Sequence, residues 1–318
     1  MVKNIINNQK DLQEYILAGS NLELIDYSSV NDMSSMFKNI RTNIPSLSNL
    51  DVSNVIHMES MFENSSFNQD ISNWNVSKVI DMNCMFSNSN FNQPLNNWDV
   101  SSVVDMENMF FSSHYNQPLN NWNLSKVTNT SFMFENSKFN MDISSWDVSK
   151  VRYMCYMFSR SNFNQDISSW DVSSVVDMDF MFFDTNFNYP LNTWNVSRVE
   201  YMKSMFHNTP FNQPLNNWNT SSLTETNSMF ENSSFNQNIS LWVIESIIDY
   251  EDMFFKSKIS EIRQIPFNLQ LDYHVFNAFS DPFICISLKP NLNMLSLLEE
   301  RCNLNSFQIN TMKIKYIK

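Results

Sequence analysis

Eight tryptophans, at positions 74, 98, 122, 146, 170, 194, 218 and 242, stand 24 residues apart, and no Trp falls outside that register. Met-Phe pairs keep the same step, ending at Phe37, Phe62, Phe86, Phe110, Phe134, Phe158, Phe182, Phe206, Phe230 and Phe254, with one first step of 25. The text between them repeats as well: FNQPLNNWDVSSVVDMENMF from Phe91 returns as FNQPLNNWNTSSLTETNSMF from Phe211. A period of this length marks a stacked array, because one unit of 24 residues cannot bury an apolar face without a neighbour. About ten coils are expected, and the chain grows by adding coils instead of dividing into domains.

Within one unit, Leu95, Trp98 and Val100 precede Ser101, and the alternation of Trp98 with Val100 reads as a short strand with one buried face. After the serine, Val103, Met106, Met109 and Phe110 fall at i, i+3, i+6 and i+7, the stripe of a short amphipathic helix. Ser101 is then the helix N-cap, and serine recurs there at 53, 77, 125, 149, 173, 197 and 221. Trp98, Met109 and Phe110 are assigned to the core, since aromatics and methionines at a strict structural period fill interiors. Pro94, Pro118, Pro190 and Pro214, alternating with Asp70, Asp142 and Asp166, are expected to fix the return bend. The chain has one glycine, Gly19, so Asn is expected to supply the positive-φ turns.

The segment LNNWDVSSV has the spacing L-x-x-W-x-V-x-x-V, close to a leucine-rich-repeat frame. The unit resembles the repeats of BspA-like leucine-rich-repeat surface proteins, in the form abundant in mycoplasma lipoproteins and present in some large DNA viruses and protists. That resemblance covers roughly residues 22–254. It implies a leucine-rich-repeat-like solenoid, each coil with a short parallel strand and a short helix, used for adhesion or protein binding on a surface.

The ends read as caps. Residues 1–21 form an N-terminal helical cap, with a helix over Asp11 to Gly19 stopped by the glycine. Residues 22–254 are the repeat array, and the aperiodic residues 255–318 are a C-terminal cap.

Stacking turns every repeat position into a row, so binding residues are sought in rows. Asp51, Asn75, Asp99, Asn123, Asp147, Asp171, Asn195 and Asn219 lie between Trp and Val and, by strand parity, face away from the core. This strip is the expected partner contact, widened by the pairs before each Trp such as Asn96 and Asn97 or Ser144 and Ser145. A soluble ladder between coils is the plainer role for the same residues. Lys78, Lys126, Lys150 and Arg198 form a basic row just past the serine, expected to balance nearby acids.

Composition narrows the chemistry. The chain has 20 Lys plus Arg against 33 Asp plus Glu, a net charge of −13, which argues against nucleic acid as a partner. Cys84, Cys155, Cys285 and Cys302 show no metal or disulfide spacing, and His57, His114, His207 and His274 occupy unrelated positions. No cofactor, metal or catalytic constellation is expected. No apolar run is long enough for a membrane span, and the start has neither a signal-length apolar run nor a lipoprotein cysteine. The expected function is therefore a non-enzymatic scaffold whose partner is another protein, a host or cell-surface component, with a glycan second. The rival is a structural protein of a virion or cell surface in which packing of the arrays is the function. The rival fits an intracellular or virion-associated chain, and the resemblance fits a surface-exposed one.

Overall fold

The computed structural model describes residues 4–259 and 265–266; the expected C-terminal cap lies almost wholly outside them. The chain opens with strand β1 (Asn4–Ile5), helix α1 (Gln9–Leu17), a single 3₁₀ turn at Leu22–Leu24 and strand β2 (Ile25–Asp26). β1 pairs in parallel with β2, Asn4 opposite Ile25 and Ile5 opposite Asp26. Helix α1 starts two residues before the expected point because Asn8, extended, caps it and accepts from the Asp11 N–H. Gly19, at φ +70, closes it and donates its N–H to the Ile16 carbonyl at 2.8 Å.

Beyond Asp26 no residue through Ile259 is helical or part of a strand longer than one residue, which corrects two expectations about the coil. The parallel pairing falls at the chain Asp32, His57, Asp81, Asp105, Asn129, Tyr153, Asp177, Tyr201, Glu225 and Asp249, and not at Trp98 to Val100. The segment after Val103, expected as a helix, is a series of β-turns.

The reason lies in where the amides point. In one coil, Met106, Asn108, Phe110 and Ser112 donate to Asn129, Ser131, Met133 and Glu135 of the next coil at 2.8–3.1 Å. The residues between them turn inward on the same coil: Met109 donates to Met106, Phe111 to Asn108 and Ser113 to Phe110. A helix would need every amide for its own chain, whereas this arrangement gives half of them to the neighbour and leaves none of these buried groups orphaned. The same bonds recur from Met33, Ser35, Phe37 and Asn39 in the first coil to Thr226, Ser228, Phe230 and Asn232 in the ninth. Four columns of peptide groups thus run through the array with all their N–H bonds pointing towards the C-terminal coils. Two sets of bonds run the other way, one as in Val104 to Ile80 and Thr128 to Val104, the other as in Lys138 to Ser113 and Asn162 to Ser137.

Such turns require a left-handed residue at fixed places, and each coil has two, for example Asn108 at φ 56 and Ser112 at φ 50. Among the described residues 20 non-glycine positions have positive φ, and seven of them are Asn, so asparagine supplies only part; Ser supplies five and Asp two. The remainder are Cys84, Phe132, Tyr156, Arg160, Phe180 and Lys256, residue types for which the left-handed region costs about 1–2 kcal/mol.

Apolar rows fill the interior. Leu95, Trp98, Val100, Val103, Met106, Met109, Phe110 and Tyr115 of one coil are all buried. Their rings stack on the equivalents above and below: Phe110 lies 5.7 Å from Phe86 and 5.5 Å from Phe134, within 7° of parallel. Each Trp also anchors its coil to the one before, since Trp98 Nε1 donates to the Ile71 carbonyl at 3.1 Å and Trp122 Nε1 to that of Leu95 at 2.9 Å. At the N-terminal end the first coil has carbonyls but no preceding coil. Gln9 and Gln13, one turn apart on α1, donate side-chain amides to the carbonyls of Ser34 and Met36. The cap therefore ends the columns by chemistry as well as by covering apolar surface.

Candidate functional site

The eight Asp and Asn residues of the strip are all exposed. Each points its Oδ1 back at the chain, where it accepts from the amide two residues on: Ser53 to Asp51, Ser77 to Asn75, Ser101 to Asp99 and Ser125 to Asn123. The series continues with Ser149 to Asp147, Ser173 to Asp171, Ser197 to Asn195 and Ser221 to Asn219, all at 2.9–3.2 Å. These are Asx turns. The turn-forming side chain is thus the Asp or Asn, and Ser101 contributes its amide instead of capping a helix. Hydrogen bonds from Ser53, Ser101 and Ser149 hold the carboxyls of Asp51, Asp99 and Asp147 below the usual range, so these stay ionised.

The pairs beside the strip form a ladder. Asn96 Oδ1 accepts from the Asn121 amide at 3.0 Å, Ser145 Oγ donates to the Asn120 carbonyl at 2.7 Å, and Ser169 Oγ to the Ser144 carbonyl at 2.9 Å. Asp70, Asp142 and Asp166 make Asx turns of their own onto Ser72, Ser144 and Ser168. In the basic row, Lys78 Nζ donates to Asn54 Oδ1 at 2.7 Å. Lys126, Lys150 and Arg198 join Arg152 around an open concavity of about 610 Å³, and among the described residues none of these four forms an ion pair. The fields of Lys126 and Lys150 reach Asp99 and Asp147 without contact.

A second face carries residues that row reasoning missed. The left-handed position held by Ser60, Cys84 and Asn108 in three early coils holds Phe132, Tyr156 and Phe180 in the next three, then Ser204 and Ser228. The three rings stack at 4.8 Å and 4.4 Å, each pair 11° from parallel, and are half-buried. Phe183 stacks on His207 at 4.8 Å beside them. The Arg160 guanidinium lies 5.1 Å from the Phe183 ring centre, and Lys203 Nζ 5.9 Å from that of Phe180. Around this ridge stand carboxylates. Asp179 accepts from the Lys203 amide at 2.7 Å, yet burial, and then the charge of Asp177, pushes its carboxyl up to about 7. Burial also raises Asp105, Glu135 and Asp177. The clue was in the sequence as a break of the period, three successive aromatics at a position otherwise small or polar.

The thiols on this face are unreactive by environment: burial pushes Cys84 up to about 11 and Cys155 up to about 12, so both stay protonated near neutrality. Cys285, Cys302 and His274 lie outside the described residues. Among the described residues no group of three His, Cys, Asp or Glu side chains is placed to hold a metal ion, and no helix is long and apolar enough to cross a membrane.

A family model with the description "Mycoplasma protein of unknown function, DUF285" matches residues 4–117, 111–206 and 161–264. The chain belongs to the DUF285 family. Its matches together take in β1, α1 and the coils through residue 259, and two of the three begin within the coils, so the family pattern is that of the repeat. The last two DUF285 matches overlap over residues 161–206, as a pattern several coils long does when it slides along a shorter period. No curated protein and no solved structure matches the chain.

Proposed function

We propose that this DUF285 chain is a non-enzymatic binding scaffold, a leucine-rich-repeat-like solenoid of the BspA-like kind, which engages another protein through its Asp/Asn strip. The observation that carries the reading is the set of eight Asx turns. They hold eight exposed side chains in one repeated orientation. A side chain fixed before binding loses less rotamer freedom on contact, roughly 0.5–1.5 kcal/mol each. Many equivalent weak contacts on one scaffold sum by multivalency. The partner in this reading is a host or cell-surface protein, and the role is adhesion; a glycan is the second choice.

The test is an affinity pull-down from the native source with wild type and Asp99→Lys/Asp147→Lys/Asp171→Lys, after circular dichroism shows that both fold. Loss of a specific partner from the charge-reversed protein supports the strip. An unchanged partner list removes it.

The rival role, a structural protein of a virion or cell surface, draws on a different observation. In the tenth coil two polar rows turn apolar, at Leu241, 79% exposed, and at Val243 beside Trp242. Sedimentation at rising concentration decides: reversible growth of the particle supports assembly, and a monomer throughout supports the scaffold.

A further inference from the structure

The ridge of Phe132, Tyr156 and Phe180 is not explained by the array. Its position requires a left-handed backbone, φ 56–59 in all three, which Ser60, Asn108, Ser204 and Ser228 adopt at the same point of other coils. An aromatic residue there gains only the stacking on its neighbours, which the turn itself does not require. Serine or asparagine makes the same left-handed turn in other coils, and the core beneath is already filled by Met133, Phe134, Met157 and Phe158. Half-buried rings that neither the turn nor the core needs are the ones to assign to binding.

The surroundings define what would bind. Asp179 and Glu135 act on the Tyr156 hydroxyl from the coils on either side, and the charges of Asp177 and Glu225 bear on Asp179. Against these four carboxylates the patch has Arg160 and Lys203. Those two already show the mode: each lays its cationic head near a ring, Arg160 on Phe183 and Lys203 on Phe180. The facing rings cover one another, so what the ridge offers outward is ring edge and the outer face of Phe132. Edges suit the aliphatic stems of long side chains, and the carboxylates suit their heads.

The geometry points to a cationic partner: we propose that this ridge is a docking surface for a Lys- and Arg-rich segment of another protein, its stems along the rings and its charges on Asp179 and the carboxylates beside it. This goes beyond the strip reading, because it concerns another face and another partner chemistry.

The test uses the full chain and two peptide probes, hexa-arginine and hexa-glutamate, in isothermal titration at about 50 mM and about 300 mM salt, the range over which screening tightens. The variant is Phe132→Ser/Tyr156→Ser/Phe180→Ser, which installs the residue of Ser60 and Ser204 and leaves every carboxylate in place. Wild type should bind hexa-arginine, more weakly at the higher salt, and ignore hexa-glutamate. The variant should bind it at least about fivefold more weakly, the scale of one or two stem methylenes no longer buried against the rings. Equal binding by the variant would mean that acidic surface alone attracts the probe, and no binding by wild type at the lower salt would mean that the ridge takes no cation; either overturns the proposal. The strip variant Asp99→Lys/Asp147→Lys/Asp171→Lys separates the two faces: if its loss of hexa-arginine equals that of the ridge variant, the ridge assignment fails.

Discussion

Replacing a ring in the Met-Phe column should cost very different amounts at the end and in the middle of the array, although both sites are equally buried. Phe37 and Phe110 are each fully inaccessible to solvent. Phe37 has one ring neighbour, Phe62 at 5.5 Å. Phe110 has four: Phe86 at 5.7 Å, Phe134 at 5.5 Å, Tyr115 at 4.3 Å and Trp122 at 6.3 Å. Substitution by Leu keeps most of the volume and removes the ring, at a packing cost common to both sites of under about 1.5 kcal/mol. The ring pairs then decide the difference. At about 0.5–1.5 kcal/mol each, three additional pairs make Phe110→Leu worse than Phe37→Leu by about 1.5–4.5 kcal/mol. The mode of unfolding should differ as well, because in a one-dimensional array a weak central unit divides the stack and a weak terminal one frays it. Urea titration followed by circular dichroism, with hydrogen exchange to locate the opening, measures both. Equal losses in a single transition for the two variants would refute the idea that ring columns carry stability along the stack.

The pH dependence has a definite sign. The Asp179 carboxyl is pushed up to about 7 from its ordinary 3.8, so between those values the folded state holds a proton that the unfolded state has released, and stability falls as pH rises through that window. Asp179→Asn should therefore raise the melting midpoint at pH 8 by the equivalent of about 1–2 kcal/mol, a figure reduced for solvent screening, and change little at pH 4. A gain of the same size at both pH values would show that charge is not the cause. At the other end, Gln9→Ala/Gln13→Ala leaves the Ser34 and Met36 carbonyls without donors, at about 1–3 kcal/mol per group that stays dry. Hydrogen exchange in the first two coils should speed up while coils five to seven stay protected, and uniform acceleration would contradict a purely terminal role.

The array was legible in the sequence because inward positions are the ones that stacking forbids to vary. Trp98, Met109 and Phe110 sit in rows whose members are buried in coil after coil, and the spacing of those rows needs no structure to be seen. The helix was misread for a physical reason. Apolar residues at i, i+3, i+6 and i+7 fit a helical face, but consecutive β-turns advance the chain by similar steps and put Met106, Met109 and Phe110 inside just as well. The discriminating sign was polar: Ser and Asn recur at the positions of Asn108 and Ser112, four apart, where a helix gains nothing from them and two left-handed turns do. The strip was found as a row, but the work of its Oδ1 atoms was not, since an Asx turn leaves no trace beyond an Asp or Asn two places before a serine. The ridge was passed over because rows were read for what they share, and Phe132, Tyr156 and Phe180 matter for what they do not.

The one-way columns of peptide groups also say how such a chain can lengthen. Every interior coil exchanges the same set of amides and carbonyls with the coils on either side, so a duplicated block of 24 residues meets the same chemistry at both joints. Copying errors in whole units are then tolerated by the fold, while an indel inside the bonded segment shifts every later donor off its acceptor. The single step of 25, between Phe37 and Phe62, respects that rule: the ladder from Met33 to Asn39 still meets His57 to Glu63, so the extra residue is absorbed in the return loop between Asn39 and Asp51. Variation in coil number among relatives, with both ends retained, is the evolutionary mark this backbone would leave.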